Sequence, residues 1–159
     1  MKAIHAHILI DAPLKKVFDF VADERNEPFY NPRMACVEKT THGPVGVGSR
    51  FKATMSGGRH STVLIEYTDF SPPHSLTSMS RMPGMDIEGT LDFSADDGLT
   101  RLSWTWLLQP HGSLRLMSPV IRAVGRRQER RNWAALKDFL EAGPLQQHDR
   151  VLPFLRRGR

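Results

Sequence analysis

What this sequence lacks narrows its class before any motif is read. Cys36 is the only cysteine, which excludes an intramolecular disulfide and a multi-cysteine metal site and is compatible with a reducing compartment. A small buried hydrophobe is the role expected of it, ahead of a nucleophile. No apolar run approaches the ~20 residues that a membrane span needs, and Met1-Lys2-Ala3-Ile4-His5 lacks the continuous apolar stretch of a secretory signal. The expectation is a cytoplasmic protein without a transmembrane segment. There is no internal repeat and no interdomain linker. The 159 residues fit one domain, 1–143, followed by a short basic tail, 144–159. Nor is there a phosphate cradle: Gly43-Pro44-Val45-Gly46-Val47-Gly48-Ser49 has no Lys-Ser/Thr ending and leads into a strand pattern, so it reads as a hairpin.

What is present in excess is positive charge. The net charge is +5 and the isoelectric point about 9.8, values that raise a polyanionic partner as a question. The arginines are concentrated at 122, 126, 127, 130 and 131, and again at 150, 156, 157 and 159. That distribution favours a solvated helix face and a loose tail over a dedicated polyanion site, and nucleic acid is not the expected partner.

Residues 4–10 alternate, Ile4, Ala6, Ile8 and Ile10 against His5, His7 and Leu9, the period of a half-buried strand. His5 and His7 point outward with no third ligand nearby, so no metal is expected. Asp11 is placed to cap a helix with Pro13 in its first turn and Leu14, Val17, Phe18 and Val21 on one face. Asp23 to Pro32 reads as a short helix or turn that sets Phe29 and Tyr30 beside the sheet. Strand patterns follow at 34–41, 49–55, 61–70, 75–82, 85–95 and 100–108, divided by turn signals that include Asp96-Asp97-Gly98. In 75–82 the inward parity is open, because Leu76 and Met82 share one face and Met79 and Arg81 the other. Leu102, Trp104, Trp106 and Leu108 commit a large aromatic area inward. Ser118 and Pro119 have the chemistry of a helix start, and Gly143-Pro144 of a stop.

That last helix carries the sharpest clue. Its apolar stripe, Ile121, Val124, Ala135, Leu136 and Phe139, is interrupted in the middle by Gly125, Gln128 and Asn132. A dry core would place Leu or Ile there. A small residue and two neutral amides point to a space with polar features above the sheet. Met34, Met55, Met79, Met82, Met85 and Met117 fit such a space, since methionine adapts to varied apolar shapes.

In order and spacing, Ile8-Leu9-Ile10-Asp11-Ala12-Pro13, Val17-Phe18-Asp19-Phe20-Val21-Ala22-Asp23, Asn31-Pro32, Gly43 to Ser49, Pro72-Pro73, Gly98-Leu99-Thr100-Arg101-Leu102 and Leu136-Lys137 carry a family likeness. Over residues 4–142 the chain resembles the START/polyketide cyclase superfamily (SRPBCC, helix-grip, birch-pollen-allergen-like). The resemblance implies an α+β helix-grip fold. A seven-stranded curved antiparallel sheet wraps around the long C-terminal helix, two short helices follow strand 1, and a hydrophobic cavity lies between sheet and helix. The superfamily includes polyketide aromatase/cyclases, lipid and hormone carriers and quinone-binding proteins, so the fold does not choose among them.

The leading expectation is a protein that binds a hydrophobic or amphipathic small molecule, polyketide-, lipid- or quinone-like. Its expected contacts are Tyr30, Phe51, Met55, Met79, Met82, Leu91, Trp104, Trp106, Met117, Ile121, Val124, Gln128 and Asn132. No cofactor is expected. No inward acid/base pair stands out, which leaves Arg81 and Tyr67 as catalytic candidates for the alternative, a polyketide cyclase/dehydratase using the same cavity. A third reading is a basic interaction module for RNA, ribosome or anionic lipid. A homodimer is left open.

Overall fold

The computed structural model describes residues 3–57 and 61–142. Its elements in chain order are β1 (Ile4–Ile10), α1 (Leu14–Val21), a 3-10 turn (Glu24–Phe29), β2 (Met34–Lys39), β3 (Arg50–Met55), β4 (Thr62–Ser71), β5 (Ser75–Met82), β6 (Met85–Asp96), β7 (Leu99–Pro110), a second 3-10 turn (Gly112–Met117) and α2 (Ser118–Glu141).

The sheet is fully antiparallel and seven-stranded, in the order β1-β7-β6-β5-β4-β3-β2. The first strand therefore pairs with the last, and α1 with the turn after it carries the chain across to the opposite edge. The strand bounds follow the expected patterns to within one or two residues. Asp97 (φ 47°) and Gly98 (φ 85°) both adopt the left-handed backbone of a two-residue hairpin between β6 and β7.

Alternation along the strands puts one row of side chains on the inner face. Across β7, β6 and β5 the rows read Trp104–Leu91–Leu76, then Trp106–Gly89–Ser78, then Leu108–Ile87–Ser80. The first row is large and apolar. The next two place glycine and serines in the middle of the sheet. In β5 the inward parity is that of Leu76, Ser78, Ser80 and Met82, while Met79 and Arg81 face outward.

The two ends of the inner face are covered differently. At the hairpin end α1 lies on the sheet, burying Val17, Phe18 and Val21. The Phe18 ring meets Phe93 at 5.1 Å and Phe70 at 5.4 Å. The C-terminal half of α2 joins this core through Trp133, Leu136, Phe139 and Leu140. Phe139 stacks on Phe20 at 5.2 Å and on Phe29 at 5.9 Å. Lys137 Nζ donates to Leu9 O at 2.7 Å and to Glu141 Oε1 at 2.7 Å, and the Asp11 N–H donates to the same Glu141 oxygen. This latch ties the end of α2 to the end of β1. At the other end of the inner face, the N-terminal half of α2 stands off the sheet.

Three local expectations are corrected. Asp11 does not cap α1: the cap position is Pro13, with no side-chain hydrogen bond, and the Asp11 N–H is taken by Glu141. At the start of α2 the cap position is Met117, also without a side-chain hydrogen bond, although Pro119 sits in the first turn as expected. Cys36 is exposed rather than buried. The pairing of β2 with β3 shifts between Met34 and Cys36, and that irregularity on an edge strand turns the thiol outward. Gly143, Pro144 and the rest of the tail lie outside the described residues.

Candidate functional site

The gap between the small-residue rows and the N-terminal half of α2 is a cavity of about 450 Å³. Its floor is formed by Ser78, Ser80, Ile87 and Leu108 with the Trp106 ring, and its roof by Ile121, Val124, Gly125, Gln128, Glu129 and Asn132. Glu24 and Glu27 of the first 3-10 turn, with Tyr30 and Asn31 just after it, also line the cavity, as do Met34, Met55, Val63, Met82 and Met85.

The floor exists because Gly89 has no side chain. A Cβ there would lie 1.8 Å from Cζ3 of Trp106, so the indole lies directly across the backbone of β6. In that position Trp106 Nε1 donates to Glu129 Oε2 on α2 at 3.0 Å. The pair bridges floor and roof. On the roof, Gln128 Nε2 donates to Asn132 Oδ1 at 2.9 Å, which fixes the two amides relative to one another.

The polar end of the cavity is acidic. Burial raises the carboxyls of Glu24 and Glu27 above the usual range, and their proximity adds to the rise at Glu24. Asn31 Nδ2 donates to Glu27 Oε1 at 2.8 Å, which favours the ionised form but does not overcome burial. Glu129 is raised to about 7, by burial first and by the charge of Glu27 second, against the opposing hydrogen bond from Trp106. The Trp133 indole also lies near enough to favour ionised Glu129, although its N–H falls outside hydrogen-bond geometry. Trp133 is 6% exposed and lines the cavity, so this buried donor lacks an acceptor among the described residues. Burial likewise raises the Tyr30 hydroxyl, reinforced by Glu27, Glu24 and Glu129. Arg33, an exposed residue, is the one basic side chain among the lining residues described.

Tyr30, Met55, Met82, Leu91, Trp106, Ile121, Val124, Gln128 and Asn132 all line this cavity. Phe51, Met79, Trp104 and Met117 do not. Phe51 is buried against Tyr67, with ring centroids 5.3 Å apart. Trp104 is covered by Trp133 at 5.1 Å, which ends the cavity on that side. Met79 faces outward, and Met117 is 52% exposed ahead of α2. The catalytic candidates are also displaced. Arg81 is exposed on the outer face, and its register partner Asp86 contacts His111 at 3.2 Å. Tyr67 is sealed in the core, and its hydroxyl donates to Ala22 O at 2.9 Å and to Glu24 Oε1 at 3.1 Å. It reaches the cavity only through Glu24.

Sequence reasoning, in which no inward acid/base pair stood out, missed the carboxylates of Glu24, Glu27 and Glu129 that line the cavity. For Glu129 a signal existed. It stands four residues after Gly125 and four before Trp133, on the helix face that the interrupted stripe had already marked. Glu24 and Glu27 carry no such signal, because a 3-10 turn rich in charge looks like surface.

Among the described residues no group of His, Cys, Asp or Glu is arranged to hold a metal ion, and no helix is long and apolar enough to cross a membrane. The solved structures that resemble this one share its fold at low sequence identity. TTHA0849 from Thermus thermophilus aligns with a TM-score of 0.72 at 15% identity, covering 86% of this chain and 95% of that one. The Zhui aromatase/cyclase from Streptomyces sp. R1128 gives 0.70 at 15% identity, covering 88% and 93%. Ara h 8.0201 gives 0.70 at 16% identity, covering 87% and 97%. No curated protein sequence matches the chain. A family model described as polyketide cyclase / dehydrase and lipid transport matches residues 1–141, and with the seven-stranded sheet, the long closing helix and the cavity between them, the chain belongs to that family.

Proposed function

We propose that this protein binds an apolar small molecule whose polar end is an uncharged hydrogen-bonding group, a hydroxyl or a carbonyl. The observation that carries this reading is the pairing of a mainly apolar cavity of about 450 Å³ with an acidic polar end at Glu24, Glu27 and Glu129. Apolar walls supply affinity through burial, and the few polar groups set orientation. Burial shifts these carboxyls toward the protonated form, which donates a hydrogen bond to a neutral oxygen, and the unpartnered Trp133 N–H offers another donor. An anionic head group placed there would bring a like charge against Glu129 or force it to stay protonated, and both cost free energy in a site with little water.

Displacement of the neutral dye N-phenyl-1-naphthylamine by probes of equal chain length tests the reading. Dodecanol is expected to compete at least about tenfold better than dodecanoate at pH 7.5, a difference near 1.4 kcal/mol. Equal competition, or preference for the carboxylate, would remove the proposed selectivity. Failure of every apolar probe to displace or bind would remove the cavity reading itself.

A second reading, a cyclase or dehydratase acting in the same cavity, is favoured by Glu129. Its carboxyl, raised to about 7, is matched to proton transfer near neutral pH. On this reading Glu129→Gln abolishes turnover of a polyketide-like substrate while dye binding persists. Turnover that survives the substitution discards Glu129 as the proton-transfer group.

A further inference from the structure

The mouth of the cavity has a chemistry that ligand binding alone does not explain. Val120 and Val124 line the cavity, yet they are 57% and 59% exposed. Residues that are both lining and exposed mark the opening. Leu116 and Met117, immediately before α2 and within about one turn of Val120 in the chain, are 87% and 52% exposed. Four exposed large apolar side chains close together in the chain, two of them lining the entrance, form a patch of the kind that marks an interaction site.

Charge on α2 continues the same stripe. Val120, Val124, Arg127 and Arg131 follow one another at i, i+4, i+7 and i+11, which places them along one side of the helix. Arg127 and Arg131 are exposed, and neither has an ion-pair partner among the described residues. Arg126 and Arg130 are exposed too, but at about 100° per residue they fall on the back of the helix, away from the cavity. One edge of α2 is thus apolar at the cavity mouth and cationic beyond it.

We propose that this edge docks on an anionic lipid bilayer surface. Leu116, Met117, Val120 and Val124 enter the interfacial layer, and Arg127 and Arg131 contact lipid phosphates. Apolar residues beside arginines on one helix edge match the two attractions that hold a peripheral protein on a membrane. The arrangement also places the cavity mouth against the lipid, so an apolar ligand passes between bilayer and cavity without crossing water. This docking goes beyond ligand binding and does not depend on which molecule the cavity holds.

The test is co-sedimentation of the full chain with vesicles of phosphatidylcholine alone or with phosphatidylglycerol at about one third of the lipid. Binding is expected to the anionic vesicles and to weaken steeply with added salt. Arg127→Ala/Arg131→Ala is expected to reduce binding by about fivefold per arginine removed. Arg126→Ala/Arg130→Ala, which makes the same change in net charge on the back of the helix, is expected to reduce it by less than about threefold in total. Leu116→Ser/Met117→Ser should weaken binding at high salt, where the apolar contribution dominates. All three pairs lie outside the cavity, so uptake of N-phenyl-1-naphthylamine in solution should be unchanged and reports that each variant is folded. The proposal is overturned by absence of binding to anionic vesicles at low salt, by equal effects of the two arginine pairs, or by indifference to Leu116→Ser/Met117→Ser. It is also overturned if single-stranded RNA displaces the protein from vesicles at equal phosphate concentration, or if the rim substitutions convert a dimer to a monomer.

Discussion

The two halves of α2 face the same sheet and do opposite work. The C-terminal half sends Trp133, Leu136, Phe139 and Leu140 into a close aromatic core and is latched to β1 through Lys137 and Glu141. The N-terminal half faces Ser78, Ser80 and the Trp106 ring across an open space and leaves Val120 and Val124 at the surface. One continuous helix thus serves as an anchor at one end and a roof at the other. Apolar burial is concentrated away from the cavity, and the cavity-facing part buries less apolar surface, as expected of a less stable part of a structure.

Truncation at each end is the most direct way to break this contrast. Leu136 is 0% exposed, and Leu136→Ala should cost ~3 kcal/mol in urea unfolding. That corresponds to a fall of roughly 6–12 °C in Tm for a chain of this size.

A nearly equal effect comes from pH. Glu129 binds its proton more tightly folded than unfolded, with a folded pKa of about 7. Between the unfolded pKa and that value the folded state holds more protons, so this group's contribution falls as pH rises through the window. The full swing is at most ~3 kcal/mol. Glu24 and Glu27 act in the same direction. Unfolding followed from pH 5 to 8 should show stability declining, with a shallower decline in Glu129→Gln and a more stable variant at pH 8. An unchanged slope would falsify the burial of that carboxyl.

Gly89→Ala should be intermediate. The added methyl cannot coexist with the Trp106 ring, so the indole moves toward the roof and its bond to Glu129 is lost. A cost of ~2 kcal/mol is expected, together with weakened dye binding. If stability falls but dye affinity does not, Trp106 is not part of the binding surface. The smallest effect belongs to the open end: Val124→Ala should change stability by no more than ~0.5 kcal/mol. A loss matching that of Leu136→Ala would mean that the roof is packed after all.

How much of this was legible in the sequence follows the same division. Two-residue alternation was enough to find the strands, because each has one buried face, and the interrupted stripe on α2 was enough to place a space above the sheet. Periodicity places Phe51 and Trp104 in that space because it reports which face a residue occupies, not how far along the sheet the covering helix stands off. The parity of β5 was ambiguous for a physical reason: its inner face carries Ser78 and Ser80, and a cavity floor lacks the apolar contrast that betrays a core. The carboxylates escaped because a polar segment folded in beside a cavity has the composition of a surface one. Glu129 sits within Arg126-Arg127-Gln128-Glu129-Arg130-Arg131, where charge hides the helical phase.

The crossing of Trp106 over Gly89 has one consequence of a practical kind. The chain has three tryptophans. Trp106 and Trp133 line the cavity, and Trp104 lies directly beneath Trp133. All of the protein's indole emission therefore arises at or next to the cavity, and one of the emitters is hydrogen-bonded to a carboxyl raised to about 7. The molecule carries its own optical gauge: without any label, its fluorescence reports the filling of the cavity, and its colour and intensity at fixed ligand report the protonation of the group at the roof.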